Sequence, residues 1–249
     1  MATWSDISGQ EHSITDHNSP TLSTDVPSGF SGYSTVFNGS NQYLSIPHHA
    51  DFNFGTGNYT LDAWIKITDI TTWGAIIQKF NYNSSTSYFY GYNIDYRYSS
   101  PSTYQCRYLA GNDYANRVLI LNSFTPDTDT WYHVAGYKNG TSHYLAIDGS
   151  AVSQTKTSTN HDTSYDIYVA REYTNLGAST TEEYFEGKIF LPRVTSTNLW
   201  STTSFTVPGS SDYNETGQVL LIEAQEDVRK KIFPVSSPLS GNLTNLGVI

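Results

Sequence analysis

Between residues 59 and 67 the chain alternates: Tyr59, Leu61, Ala63, Ile65 and Ile67 share one parity, while Thr60, Asp62 and Lys66 take the other. A period of two places successive side chains on opposite faces, so this segment predicts a half-buried antiparallel strand. Similar short runs, punctuated by Gly, Asn, Asp and Ser, predict further strands. They fall near 34–38, 42–46, 58–67, 74–80, 88–97, 103–109, 117–121, 131–138, 142–147, 164–170 and 184–194. Asn139-Gly140 predicts a hairpin with a type I′ turn, because both central residues of that turn need positive φ. The hairpin ends at Asp148-Gly149. Long helical periodicity is absent. The pattern predicts an all-β chain forming a single antiparallel sandwich, and 249 residues is a length one such domain can use whole.

Two stretches fall outside the alternation. Residues 1–32 are rich in Ser, Thr, Asp, Pro and Gly and predict a loop with a short edge strand. Beyond Gln218-Val-Leu-Leu-Ile-Glu223, a charged segment predicts a short helix over 223–231. Residues 233–249 then predict an extended tail with apolar anchors at Phe233, Val235, Leu239, Leu243, Leu246 and Ile249. The organisation read here is therefore one domain over 1–222 and a C-terminal extension over 223–249 that serves attachment or oligomerisation.

Composition narrows the function. Twenty tyrosines, eleven phenylalanines and five tryptophans against one methionine fit sheets whose faces are filled by aromatic and β-branched groups. The single Cys106 excludes an internal disulfide and a cysteine-based zinc site. Thirteen basic and twenty-three acidic residues give a net charge of −10, and the longest basic run is Arg229-Lys-Lys231. Affinity for a nucleic acid backbone comes from clustered positive charge, so nucleic acid is not an expected partner. The opening Met1-Ala-Thr-Trp-Ser-Asp lacks the basic and apolar regions of a signal peptide, and no apolar run approaches spanning length. Export and membrane insertion are not expected; the alternative is a chain whose leader has been removed.

Three phrases carry a family resemblance: Phe37-Asn-Gly-Ser-Asn-Gln-Tyr-Leu-Ser-Ile-Pro47 running on to Tyr59–Ile67, Trp131-Tyr-His-Val-Ala135 followed by Ile147-Asp-Gly149, and Phe185-Glu-Gly-Lys-Ile-Phe-Leu-Pro-Arg-Val194. They resemble the laminin-G-like, concanavalin-A-like lectin jelly rolls, and the match extends over most of residues 5–222. The opening Asp6-Ile-Ser-Gly-Gln-Glu-His12, the Asp51–Thr60 wording and the Trp200–Pro208 segment resemble a variant common in bacteriophage structural proteins. The resemblance implies a jelly-roll sandwich and binding, adhesion or scaffold roles, without fixing the chemistry.

The densest chemical feature is the run of nine tyrosines from Tyr82 to Tyr114. Tyr88, Tyr90, Tyr92, Ile94, Tyr96 and Tyr98 share parity, so one face is a row of rings that either stacks on sugar or packs between the sheets. The other face offers Asn93, Asp95 and Arg97, the polar set of a concave binding face. The candidate glycan-binding neighbourhood is Tyr82, Tyr90, Asn93, Asp95, Arg97, Tyr104, Asn112, Asp113 and Tyr114. Trp64 and Trp131, inside apolar phrases, are expected to hold the two sheets together. His48, His49 and His143 are expected at the surface or in turns.

Relatives on this fold often hold a structural calcium at the rim. Asp51, Asn53, Asn58, Asp113, Asn116, Asp127, Asp129 and Asp148 lie in turns, yet none forms a matching ligand spacing, so no metal site and no cofactor are assigned. Catalytic residues are not assigned either. No E-x-D-x-x-E strand or G-x-S-x-G elbow is present, and Glu182-Glu183 and Glu186 come nearest.

The reading is a non-enzymatic virion surface protein, either a capsid decoration or a tail-fibre and receptor-binding component, made in the host cytoplasm. Its expected partners are other virion subunits, host-surface glycans and, through the tail, further copies of the chain. The rival reading is a secreted carbohydrate-binding module or polysaccharide-active enzyme.

Overall fold

The alternating segments pair into two facing antiparallel sheets in a computed structural model, which describes residues 2–83, 88–99, 103–111, 117–157, 163–175, 180–213 and 217–226. The strands are β1 (Ala2–Asp6), β2 (Thr15–His17), β3 (Thr21–Ser23), β4 (Ser34–Asn38), β5 (Tyr43–Ile46), β6 (Tyr59–Ile67), β7 (Gly74–Asn83), β8 (Tyr88–Ser99) and β9 (Thr103–Gly111). They continue with β10 (Val118–Ser123), β11 (Tyr132–Asn139), β12 (Ser142–Ile147), β13 (Ser150–Thr155), β14 (Ile167–Val169), β15 (Arg171–Asn175), β16 (Thr180–Tyr184), β17 (Glu186–Thr195) and β18 (Gln218–Glu226).

One sheet runs β1-β18-β17-β6-β11-β12-β13, with β4 also on β17 and β3 on β4; the other runs β10-β9-β8-β7-β14-β5-β2. Neighbours distant in sequence, such as β6 between β17 and β11, mark the crossovers of a jelly-roll sandwich. The core lies between the sheets: Leu61, Ala63, Ile65 and Ile67 of β6 belong to one cluster with Tyr92, Ile94 and Tyr96 of β8 and Tyr108 of β9. The even-numbered face of β8 is therefore core. Its phenols find partners as they are buried: Tyr92 Oη donates to Phe52 O at 3.2 Å and Tyr96 Oη to Ile70 O at 2.8 Å.

Four expectations are corrected. The type I′ turn lies at Asp148-Gly149, where φ is +48° and +75°, whereas in the β11–β12 turn, Gly140-Thr141, only Gly140 is left-handed, at +60°. A Cβ on Gly149 would stand 2.1 Å from Phe205 O, so glycine is required there twice over. Residues 223–226 extend β18 against β1 rather than starting a helix. Side chains from Val219 to Ile222 are buried, and β1 offers the pairing edge that a helix would forfeit. The tail from 233 to 249 lies outside the described residues.

The other two corrections concern aromatic positions. Trp64 and Trp131 do not sit between the sheets. Trp64 has the polar parity of β6, so it lies on the outer face of the nine-stranded sheet, near Phe30 and His133. Trp131 Nε1 donates to Asp25 Oδ1 at 3.0 Å. Segments 25–33 and 199–213 cover this face and make a second layer, in which Trp200 stacks on Phe205 at 3.9 Å. Beneath it, Asp62 accepts from Arg193 Nε at 2.8 Å and Nη2 at 3.0 Å, with His133 Nε2 3.0 Å away. His143 is not at the surface: it is fully buried on β12, facing Tyr108.

Candidate functional site

Parity divides β8 into two surfaces. Tyr92, Ile94 and Tyr96 point into the sandwich, so Asn93, Asp95 and Arg97 project from the outer face of the seven-stranded sheet. Asp95 stands directly across from Arg107 of β9, an opposite-charge cross-strand pair. Arg107 Nε donates to its Oδ2 at 2.8 Å, Arg97 Nε to its Oδ1 at 3.1 Å and Asn93 Nδ2 to its Oδ2 at 2.6 Å.

This polar row is roofed by the β15–β16 hairpin. Glu172 of β15 reaches down and accepts from Arg97 Nη2, Arg107 Nη2 and Trp73 Nε1, each at 3.1 Å. Gln78 acts as a substitute strand: its Nε2 donates to Tyr173 O at 2.7 Å and its Oε1 accepts from Tyr173 N at 2.8 Å. Two carboxylates facing two guanidiniums keep the buried layer electrically balanced, which is what makes its burial tolerable. Burial works to lower the Arg107 pKa, but Asp95 and Glu172 outweigh it and hold the guanidinium above its ordinary value. The Trp73 indole lies against Arg97, 4.0 Å from ring centre to guanidinium carbon.

Further along the same outer face, toward the edge strands β5 and β2, Arg171 is framed by three rings. Its guanidinium carbon is 4.5 Å from the centre of Tyr43, 4.9 Å from Tyr168 and 4.8 Å from Tyr173. His17 stacks on Tyr43 at 4.0 Å, with the ring planes 5° apart. Arg171 Nη2 donates to Glu182 Oε1 at 2.5 Å, and the Tyr184 hydroxyl donates to the other oxygen of the same carboxylate. The Tyr184 hydroxyl and Arg171 hold Glu182 below its ordinary value against its partial burial. Burial, with Arg171 adding to it, depresses His17. Arg171 Nε is buried and has no hydrogen-bond partner among the described residues. The patch thus offers half-buried rings with polar tips, a fixed cation and one unused donor.

The expected site residues do not form one site. Asn93 and Asp95 are fully buried under the hairpin, and the Arg97 side chain keeps 18% of its exposure. Tyr90 is half-buried on the opposite, inward parity, across from Asn81. Tyr104, also inward, lies at the far end of β9 beside Tyr98, and lines a cavity of about 360 Å³ with Thr103, Ser123, Phe124 and Thr125. Tyr82 occupies β7 opposite Phe89, with its side chain outside the described residues, as are Asn112, Asp113 and Tyr114. Among the turn residues weighed as metal ligands, Asn58 Oδ1 instead accepts from Gly140 N at 2.8 Å and Asp127 Oδ1 from Asp129 N at 3.1 Å. Sequence reasoning missed Trp73, Arg107, Glu172 and the Arg171 patch. One signal was available: Arg107 and Asp95 are the outward charges of adjacent predicted strands in a chain with only thirteen basic residues.

Comparison with known proteins agrees with the fold. The family model for the concanavalin A-like lectin/glucanases superfamily matches residues 38–203. No curated protein is similar in sequence. Among solved structures, the binding domain of Paraclostridial Mosquitocidal Protein 1 is similar with a TM-score of 0.55 at 13% identity, covering 79% of this chain and 47% of that one. A botulinum neurotoxin type C structure, described as dependent for cell entry on interaction with two ganglioside molecules, gives 0.53 at 12% identity over 80% and 46%. The binding domain of botulinum neurotoxin DC in complex with SialylT gives 0.52 at 12%, over 85% and 47%. At these identities the likeness is one of fold. The chain spans about half the length of those domains, and these neighbours are clostridial toxin domains, not phage proteins.

Proposed function

This chain belongs to the concanavalin A-like lectin/glucanases superfamily, and on that footing we propose that it is a non-enzymatic glycan-binding protein whose binding surface is the aromatic patch around Arg171. The observation that carries the reading is the Arg171 guanidinium held among Tyr43, Tyr168 and Tyr173, with its Nε unpaired among the described residues. Rings of this kind stack on the CH faces of sugars while their hydroxyls reach polar partners, and a fixed guanidinium suits a carboxylate-bearing sugar. The descriptions of ganglioside and SialylT interactions for similar toxin domains support the same ligand class. A shallow patch leaves much of a glycan in water, so affinity per site is weak and display of many copies raises it.

In the same proposal the chain works on a virion surface, as a capsid decoration or tail-fibre component made in the host cytoplasm. What supports this is the phage-like opening phrase, whose Asp6 and His12 are hydrogen-bonded at 2.8 Å. The rival reading, a secreted carbohydrate-binding module or polysaccharide-active enzyme, differs in partner and in turnover.

The test is a titration of multivalent and monovalent protein against sialylated and neutral host-surface glycans. Arg171→Gln with Tyr168→Ala should weaken binding about tenfold or more, a loss of about 1.4 kcal/mol per decade. Unchanged binding in this variant would overturn the assignment of the patch. Absence of glycan binding by the multivalent protein would overturn the glycan reading, and hydrolysis of the glycan would overturn the non-enzymatic one.

A further inference from the structure

In the loops that precede β2 and follow β5, three potential ligand atoms converge. His12 Nε2 lies 3.5 Å from Asp51 Oδ2, and His49 Nδ1 lies 3.1 Å from the same oxygen. All three groups present ligand atoms within 4.8 Å of one another. The contributing segments are the loop after β1 and the 3-10 turn Ala50–Phe52 with His49 at its N-cap, brought together by pairing of β1 with β18 and of β5 with β2.

The hydrogen bonds around the cluster decide what those atoms are. The Asp6 side chain is fully buried and accepts from Ser8 N, Leu221 N and His12 N, at 3.0, 3.1 and 3.0 Å. A carboxylate so surrounded by donors is an acceptor, so His12 Nδ1, 2.8 Å from Asp6 Oδ2, carries the proton and donates it. In the neutral ring the remaining nitrogen, Nε2, is then a lone pair, and it faces Asp51. His49 Nδ1 accepts from Asp51 N at 3.3 Å, so it too is an unprotonated nitrogen facing the Asp51 carboxylate. Two unprotonated nitrogens and a carboxylate oxygen therefore lie within 4.8 Å of one another, an arrangement that a cation resolves.

We infer that His12, His49 and Asp51 form a binding site for a divalent transition metal of the zinc type, with Asp6 as the carboxylate that orients His12. Three facts select this class. The donors are two imidazoles and a carboxylate, which suit zinc and its neighbours and not calcium, whose ligands are oxygens. The spacings of 3.1 and 3.5 Å match the edge of a tetrahedron, about 3.3 Å for bonds of about 2.0 Å. The Asp6–His12 pair reproduces the carboxylate–histidine relay that fixes the tautomer of a metal-bound imidazole.

Burial separates the roles. The His12 side chain is 7% exposed and packs 4.5 Å from Phe52, so it is the fixed ligand. His49 and Asp51 keep 55% and 32% exposure, which leaves the fourth position to water on the solvent side. The metal bond replaces the long Asp51 N to His49 contact, whose donor turns to solvent. Bound metal would clamp the N-terminal segment to the turn that carries Phe52, thereby stabilising the fold.

The experiment uses the full chain stripped with a chelator, titrated by calorimetry with zinc chloride and, separately, with calcium chloride, and melted with and without each. Zinc should bind at one equivalent per chain and raise the melting temperature, while calcium should do neither. Cobalt chloride should give the visible absorption of a four- or five-coordinate site. His49→Ala at an exposed side chain and Asp51→Asn at a part-exposed one should each weaken zinc binding by about tenfold or more, and Asp6→Asn by about 10–100-fold. His48→Ala, the neighbouring exposed histidine, should leave it unchanged. No zinc binding to the stripped chain would overturn the inference. Binding that survives His49→Ala and Asp51→Asn together would place the metal elsewhere and overturn it equally.

Discussion

His143 makes a quantitative prediction about acid stability. It is fully buried on β12, with Tyr108 Oη 3.4 Å from its Nδ1. Burial, with Lys138 adding to it, pushes its pKa from 6.5 down to about 4, against a hydrogen bond to the backbone of Lys156. The folded state therefore refuses a proton that the unfolded chain accepts, so stability is intact above pH 6.5 and falls as the pH drops toward 4. Linkage over that window gives a loss of about 2 kcal/mol by pH 5 and about 3 kcal/mol by pH 4. Other groups titrate nearby: Glu183 and Glu186 are raised by burial and act in the opposite direction, so the absolute curve mixes several terms. The clean readout is the difference between the wild type and His143→Gln, which keeps a side-chain donor but carries no charge. Urea denaturation followed by tryptophan fluorescence, at steps between pH 7.5 and 4, should show the variant gaining on the wild type by that amount. A wild-type-minus-variant difference that stays constant across the range would show that His143 is solvated or paired in both protonation states, and would refute the reasoning.

Three further outcomes follow from the packing. Arg193→Met leaves Asp62 buried without its bidentate partner and should cost about 3–5 kcal/mol in urea denaturation, with a loss below about 1 kcal/mol counting against a buried pair. Trp131→Ala removes a half-buried ring and its bond to Asp25 from outside the sandwich core, so it should cost only about 1–2 kcal/mol and leave glycan titrations unchanged; a larger loss would place the ring in the core. Gly91→Ala should destabilise by at least about 2 kcal/mol in thermal melts, because φ there is +98° and the new Cβ would stand 1.9 Å from Lys79 O; an unchanged melting temperature would show that β7 and β8 can separate freely.

What was legible in the sequence and what was not divide along a physical line. Local chemistry settled the strands and their inner faces: the alternation over 59–67 and the shared parity of Tyr92, Ile94 and Tyr96 hold in the core as written, because a strand has only two faces and water selects between them. A period of two says nothing of what covers the other face. Asn93, Asp95 and Arg97 alternate as solvent-facing residues do, yet Glu172, 75 positions beyond Arg97, descends on them with the β15–β16 hairpin and seals them in. Trp64 shares the parity of Asp62, and only the passage of residues 25–33 and 199–213 over that sheet makes the position a second core rather than an exposed tryptophan. The same holds for the two sites of interest. Arg171 meets Tyr43, and His12 meets Asp51, through strand pairing between segments far apart in sequence, which no local pattern encodes. Side-chain parity is a property of the backbone within one strand, whereas coverage and convergence depend on which strands become neighbours, and that is decided by the free energy of the assembled sandwich.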